Sequence, residues 1–427
     1  MKRRFDKSTS QLLRAERTIP LGAQTFSKSR TQYPVGYAPL FASKGRGCQL
    51  WDIDGNRFVD LVAALGAVTI GYRNRRIDAA VRKQMKSGVT FSLSSVLESE
   101  VSEILLSLLP DAQMVRFAKN GSDVTSAAVR LARHVTGKRK VVRSSYHGWH
   151  DWYIGSTSRN FGVPKVISDL TLVLPFNDLA MAEDFFEQHG DDISCIILEP
   201  VGMDFPVAGF LEGLRRLCDK YGALLIYDEV VTGFRISKNG SGQLFKVPPD
   251  LSCFGKGIAN GFPLSAIVGK HEFMKELSEV FFSGTFGGET LSLAAAREVL
   301  SMIRDGEVTD QLSNKGEEVF NRVSELLEQY QIDFFEFSGH NAWKFIKWNL
   351  DPEIMDKTKT LFLQEMFQEG VLILNTHNVM TSMSHSHIQR IVNAYDRVLP
   401  VLKEVVSTRD FRKYLKAKPI KPLFKLR

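Results

Sequence analysis

From about residue 95 the chain repeats one pattern: a short run of consecutive apolar residues, a glycine-bearing turn, then an amphipathic stretch. MVRFAKNGSDVTSAAVRLARHV reads as strand, turn and helix. KVVRSSYHG, ISCIILEPV and GALLIYDEVV are apolar runs of strand length, and GFLEGLRRLCDKY between two of them has helical periodicity. Continuous rather than alternating apolar runs predict strands covered on both faces, hence an α/β fold with a large, mostly parallel sheet and helices on both faces. Ligands of such sheets sit beyond the carboxyl ends of the strands. The residues that follow each run are therefore the places to look for chemistry.

The flanking regions differ in pattern. PLFASKGRGCQLWDIDGNRFVDL predicts two strands joined by a turn at Asp54-Gly55-Asn56. After about residue 300, helical segments (GEEVFNRVSELLEQY, LFLQEMFQEG) alternate with short strands (FFEFSG, AWKFIKWNL, VLIL). Residues 1–94 are expected to form an N-terminal segment and small lobe, 95–300 the large α/β domain, and 301–427 a small C-terminal α+β lobe with a basic tail.

The formal net charge of +7 changes little, because residues 409–427, with eight Lys or Arg and one Asp, account for all of it. A basic tail alone is a solvated or docked terminus rather than a binding arm, so no nucleic-acid partner is expected. The four cysteines, Cys48, Cys195, Cys218 and Cys253, form no CxxC pair, and neither a zinc site nor disulfides are expected. MKRRFDKSTSQLLRAE has basic residues without the apolar run of a signal peptide, and no stretch approaches a membrane span. Cytoplasmic residence without membrane contact is the expectation.

Four segments at predicted strand ends bear on function. Asn120-Gly121-Ser122-Asp123 lies between a strand and a helix, where backbone N–H groups can bind phosphate; alone, a Ser or Asp there reads equally as an N-cap. Tyr146-His147-Gly148 follows the next strand and offers an aromatic face to a flat ring, although an aromatic in such a place also suits a core. Five apolar residues lead into Asp228-Glu229, placing Asp228 at the end of a buried strand, where a carboxylate needs a cation. That cation is either an arginine such as Arg235 or a pyridinium nitrogen kept protonated. Lys256, between Gly255 and Gly257, is expected to be partly desolvated and so able to act as a nucleophile and as a general acid or base. The spacing around GKG does not satisfy a P-loop, which disfavours ATP.

Taken together, NGSDVTSAAVRLAR, YHGWHD, CIILEPV, LLIYDEVVTGFR, DLSCFGKGIANGFPLSAIVG and SGTFGGETLSLAAA resemble the class III (subgroup II) aminotransferases of fold type I, and among them the glutamate-1-semialdehyde aminomutase branch, over nearly the whole length. The resemblance implies pyridoxal 5'-phosphate as cofactor, held by Lys256 as a Schiff base. It further implies Asp228 on the pyridine nitrogen, Val230 and Tyr146 on the two ring faces, and Gly121 and Ser122 on the phosphate. Glu199 would lie near the lysine and ring hydroxyl. Thr285 would reach the phosphate of the neighbouring subunit, which implies a homodimer with shared active sites.

Several departures bear on the substrate. Asn120 replaces the usual Ser, Gly71-Tyr72-Arg73-Asn74-Arg75 stands where GHxHP is common, and GTFGGET replaces GTxxGNP, putting Glu289 in place of an Asn. YIGSTSRNFGVPKV after Trp152 is shorter than the mobile Gly/Ser-rich loop of the aminomutases, and residues 375–385 contain no acidic residue. The expected activity is amino transfer from an amino-acid donor, glutamate first, to an aldehyde or ketone. A keto-sugar is one candidate if His377 and Asn378 meet its hydroxyls, and Arg30 is a candidate for a substrate carboxylate. For these three, core packing or a structural ion pair is the alternative. The competing activity is that of a glutamate-1-semialdehyde 2,1-aminomutase.

Overall fold

The structure is a computed structural model that describes residues 3–421. The chain divides into two compact units: one holds the described residues up to Asn74 and those from Asp310 onward, the other spans Arg75–Thr309.

In the first unit, β1 (Ala42–Arg46), β2 (Gln49–Asp52) and β3 (Arg57–Asp60) form an antiparallel meander. Gly55 takes a left-handed φ of +87° in the Asp54–Asn56 turn, and Asn56 donates its amide and side-chain nitrogens to the Asp52 carboxylate. A second turn at Gly47, also left-handed, splits the first expected strand in two.

The larger unit is built on a seven-stranded sheet comprising β4 (Met114–Ala118), β5 (Lys140–Ser144), β6 (Thr171–Val173), β7 (Ile193–Leu198), β8 (Leu224–Glu229), β9 (Leu251–Phe254) and β10 (Ser265–Gly269). Their order is β4-β10-β9-β8-β7-β5-β6, parallel except for β10, which runs antiparallel to both neighbours. β7 and β8 are buried at every residue, and apolar clusters cover both faces of the sheet. This explains why their sequences do not alternate.

The C-terminal segment returns to the first unit. β11 (Phe335–His340), β12 (Trp343–Trp348) and β14 (Thr376–Asn378) form a three-stranded antiparallel sheet. β13 (Val371–Leu372) instead pairs parallel with β3, Val371 opposite Val59. That pairing joins the two chain ends in one unit, so the units divide at 74/75 and 309/310 rather than at the boundaries read from element pattern. The described part of the basic tail is docked. Lys416 and Ala417 donate their amides to Gln364 Oε1, and Ile420 donates its amide to Thr360 Oγ1. Lys425 and Arg427 lie outside the described residues.

At the end of β8, alternation sends the two carboxylates to opposite faces of the sheet. Glu229 accepts hydrogen bonds from the amide and hydroxyl of Ser241. Burial nevertheless pushes its pKa up to about 7, from 4.5. A carboxyl whose folded pKa is raised binds more protons folded than unfolded between these two values, so its contribution to stability is full below about 4.5 and is lost as pH rises toward 7. Glu229→Gln keeps an acceptor for Ser241 and removes this titration. Urea unfolding should show the variant gaining on wild type between pH 4.5 and pH 8, by on the order of 3 kcal/mol, because each tenfold difference in proton affinity is worth ~1.4 kcal/mol. A difference independent of pH would show that Glu229 does not titrate in this range.

Candidate active site

Five of the parallel strands deliver site residues at their carboxyl ends. β4 leads into Asn120, Gly121 and Ser122, β5 into Tyr146, β7 into Glu199, β8 contains Asp228 and leads to Val230, and β9 leads into Lys256.

Asp228 is almost fully buried, 4% exposed. Its Oδ1 accepts the Val230 amide at 3.1 Å, and its Oδ2 lies 2.7 Å from His147 Nδ1. His147 Nε2 faces the carbonyl of Ser144 at 2.7 Å, and a carbonyl can only accept, so Nε2 bears a proton. A further proton lies between Nδ1 and Oδ2; on either atom it leaves the pair net neutral. The group that makes burial of Asp228 tolerable within the protein is therefore His147, not Arg235. His147 is itself buried and stacked beside Trp152 and edge-on to Tyr153, which fixes its plane. Only its place next to Tyr146 at a strand end hints at this role in the sequence.

Three glycines let the strand ends converge. A Cβ on Gly121 would lie 2.9 Å from Val230 Cγ1, and one on Gly255 would lie 3.2 Å from the same atom. A Cβ on Gly148, which has a φ of +104°, would lie 2.2 Å from Ser122 Oγ. The helix-start turn, the end of β8, the lysine turn and the loop after β5 thus meet in one place. Lys256 is partly buried and takes a left-handed φ of 44°, a strain of the kind found at functional sites.

Gly121–Thr136 forms a helix of 16 residues. Asn120 caps it, and the Asp123 carboxylate accepts the Asn120 amide at 2.8 Å. Hydroxyls from its first two turns hold the loop after β5. Thr125 Oγ1 donates to the His147 carbonyl, Ser122 Oγ accepts the Trp149 amide, and Ser126 Oγ contacts both His150 Nδ1 and Trp152 Nε1. The indole only donates, so Ser126 accepts from Trp152. Tyr146 and Val230 pack partly buried on the same apolar cluster.

These features fit pyridoxal phosphate: a helix N-terminus with a serine for a phosphate, a buried carboxylate for a pyridinium, apolar groups for ring faces and a partly desolvated lysine for an aldehyde. Thr285 stands apart, exposed on a loop between Phe281 and Phe286, which are 82% and 58% exposed.

The three substrate candidates are placed in the first unit. His377 is fully buried, its Nε2 2.5 Å from the Tyr395 hydroxyl and its ring packed edge-on to Phe320 and Phe337. Burial pushes its pKa down to about 3, so it is a neutral core histidine. Asn378, 3% exposed, donates its side-chain amide to the carbonyls of Leu61 and Val62. It thereby braces the turn Ala63-Ala64-Leu65-Gly66, whose four φ values are all positive. Asp60 braces the same turn by accepting the Val62 and Ala63 amides. Arg30 forms an ion pair with Glu16 and is half-exposed. For His377 and Asn378 the packing alternative describes what is found, and for Arg30 the ion-pair alternative does.

Among the described residues no helix is long and apolar enough to cross a membrane, and no cluster of His, Cys, Asp or Glu could hold a metal ion. All four cysteines are buried and free.

Known proteins match both the sequence and the fold. The family description "Aminotransferase class-III" fits residues 32–396. A glutamate-1-semialdehyde 2,1-aminomutase of Aquifex aeolicus (strain VF5) is 32% identical over 402 residues, covering 87% of this chain and 94% of that protein. A 3-aminobutyryl-CoA aminotransferase of Cloacimonas acidaminovorans (strain Evry) is also 32% identical, over 90% of this chain and 94% of its own. The solved PLP internal aldimine form of the Sphingopyxis sp. MTA144 FumI protein superposes with a TM-score of 0.88 over 97% of this chain and 99% of that one, at 26% identity. Strand order, converging strand ends and these likenesses agree: the chain belongs to the class-III aminotransferases and is a pyridoxal-phosphate-dependent transaminase of fold type I.

Proposed function

We propose that this enzyme transfers an amino group from an amino-acid donor to a separate aldehyde or ketone acceptor, with Lys256 as the cofactor-bearing lysine. The observation that supports this most is the meeting of Gly121, Val230 and the Gly255-Lys256 turn beside the buried Asp228–His147 pair.

Bound there, the cofactor supplies an electron sink for the carbanion left when the substrate carbon loses a proton. The chain supplies the rest. The Gly121 and Ser122 amides and the Ser122 hydroxyl bind the phosphate at a helix N-terminus, where the helix dipole favours an anion. Asp228 holds a proton on the pyridine nitrogen, and His147 keeps its carboxylate fixed in orientation. Tyr146 and Val230 confine the two ring faces. Once the donor amine has displaced it from the cofactor, Lys256 Nζ would carry the proton from the substrate carbon next to the amine to the cofactor carbon C4′, and in the second half of the cycle it would carry a proton the opposite way, to the acceptor carbon. Glu199, buried at the end of β7, is assigned to the neighbourhood of the ring hydroxyl.

The exposed Thr285 loop, flanked by two exposed phenylalanines, suits a homodimer in which Thr285 completes the partner's phosphate site. Donor and acceptor are small molecules. The sugar acceptor depends on His377 and Asn378, and with both in the core the acceptor is proposed only as an aldehyde or ketone.

Amino transfer between two substrates is preferred over internal rearrangement of one. A mutase must retain its intermediate between half-reactions, and this chain has neither the long Gly/Ser-rich loop after Trp152 nor an acidic residue in 375–385. Relatives named as aminomutases reach 37% identity over 338 residues, against 32% over 394 for the 3-aminobutyryl-CoA aminotransferase, so the preference rests on these local departures and not on overall identity.

Asp228→Asn should fold as wild type and lose at least ~100-fold in kcat, about 3 kcal/mol of transition-state stabilisation. Turnover near wild type would reduce Asp228 to a structural partner of His147. The choice between transferase and mutase is read from the pyridoxamine-phosphate form given glutamate 1-semialdehyde alone. The proposed activity predicts at most one turnover, and a panel of amino donors headed by glutamate should restore cycling with a carbonyl acceptor. Sustained formation of 5-aminolevulinate with nothing added would establish the mutase instead.

A further inference from the structure

Glu289, the acidic residue of the segment GTFGGET, pairs with Lys119, two positions before Gly121. Its Oε2 accepts Lys119 Nζ at 3.1 Å, with the two side chains only 13% and 18% exposed. The same carboxylate caps the Thr290–Asp305 helix, Oε1 accepting the Leu291 amide and Oε2 the Ser292 amide and hydroxyl. Burial alone would raise its pKa; the hydrogen bonds from Ser292, Lys119 and the two amides outweigh that and hold it below the usual glutamate value. Glu289 is therefore a charged group, tied at once to the helix start behind it and to Lys119.

Lys119 in turn sits at the edge of the phosphate turn. It follows β4 directly, precedes Asn120-Gly121-Ser122, and donates its own amide to Asp123, the carboxylate that closes the cap of the Gly121–Thr136 helix. On the other side, Glu289 ends the loop that contains Thr285. Gly288 in that loop lies so close to Glu98 that a Cβ would come within 2.5 Å of its Oε1. Asp123 and Ser126 of the helix that begins at Gly121, the Ser283–Gly287 loop and Lys119 all line one cleft of about 580 Å³.

We propose that Lys119 and Glu289 form a positioning pair for cofactor phosphate: the ion pair sets the Gly121-Ser122 turn and the Thr285 loop in fixed register, and Lys119 neutralises a carboxylate that would otherwise repel a phosphate dianion. Neither residue is assigned a contact with the cofactor. The inference rests on the phosphate placement proposed above.

The test separates the ion pair from the helix cap. Glu289→Asp keeps an excellent N-cap residue but is one methylene too short to serve Lys119 as well. Lys119→Met leaves the cap intact and removes the charge. Each holoenzyme is followed for release of pyridoxal phosphate on dilution, by loss of its visible absorbance, and compared with the same protein reloaded with pyridoxal, which has no phosphate. Thermal unfolding of each variant monitors the fold. Both variants should release pyridoxal phosphate about tenfold faster than wild type, the double variant no faster than the worse single one, and pyridoxal release should be unchanged. Release at the wild-type rate from Glu289→Asp, or equal acceleration for both vitamers, would overturn the pair as a phosphate-positioning device. If wild type itself holds both vitamers equally well, the phosphate placement at Gly121 and Ser122 fails, and this result is distinguishable from failure of the pair alone.

Discussion

A carboxylate buried at the end of the central strand is the constraint around which this site is organised. Asp228 is out of water at the end of β8, and an isolated charge there would cost several kcal/mol. His147 meets it from the loop after β5, which lies beyond β7 in the sheet, and Ser144, Trp152 and Tyr153 fix the imidazole. The loop in turn is pinned by hydroxyls of the helix that begins at Gly121. One interaction thus ties the ends of β4, β5 and β8 together, and the Gly255-Lys256 turn closes on Val230 next to it. The arrangement leaves the protein's own pair net neutral, and it is this pair that is proposed to meet the ring nitrogen of the cofactor.

Much of this architecture is legible in the sequence because it rests on short-range signals. Continuous apolar runs mark strands covered on both faces, and the residues that follow each run are the ones that converge. The turn at Asp54-Gly55-Asn56 is equally local. Long-range pairings are not visible in this way. β13 is two residues long and joins β3 across more than three hundred positions, so the membership of the two chain ends in one unit has no local signature. His147 and His377 make the same point at the level of side chains. Both are histidines in mixed segments; one supports the candidate active-site carboxylate and the other is a neutral core residue beside Tyr395. Only the partner across the fold distinguishes them.

The adjacent pair Asp228-Glu229 shows how little sequence adjacency says about role. Alternation along the strand puts the two carboxyls in different environments, one facing an imidazole and the other the start of a short helix at Ser241. Burial with uncharged hydrogen-bond donors raises the pKa of Glu229, whereas Glu289, less buried and supplied with a lysine, is held low. Departures from the family pattern sort in the same manner. Asn120 is a competent helix cap. It is compatible with an anion at the start of that helix and leaves substrate choice to other positions.

The central claim is that Lys256, among all the lysines of this chain, bears the cofactor. Reduction of the purified holoenzyme with borohydride, followed by peptide mapping by mass spectrometry, tests it directly. The account predicts a single phosphopyridoxyl adduct, located on Lys256, with loss of the visible absorbance and of all turnover. An adduct on a different lysine, with Lys256 recovered unmodified, would contradict it.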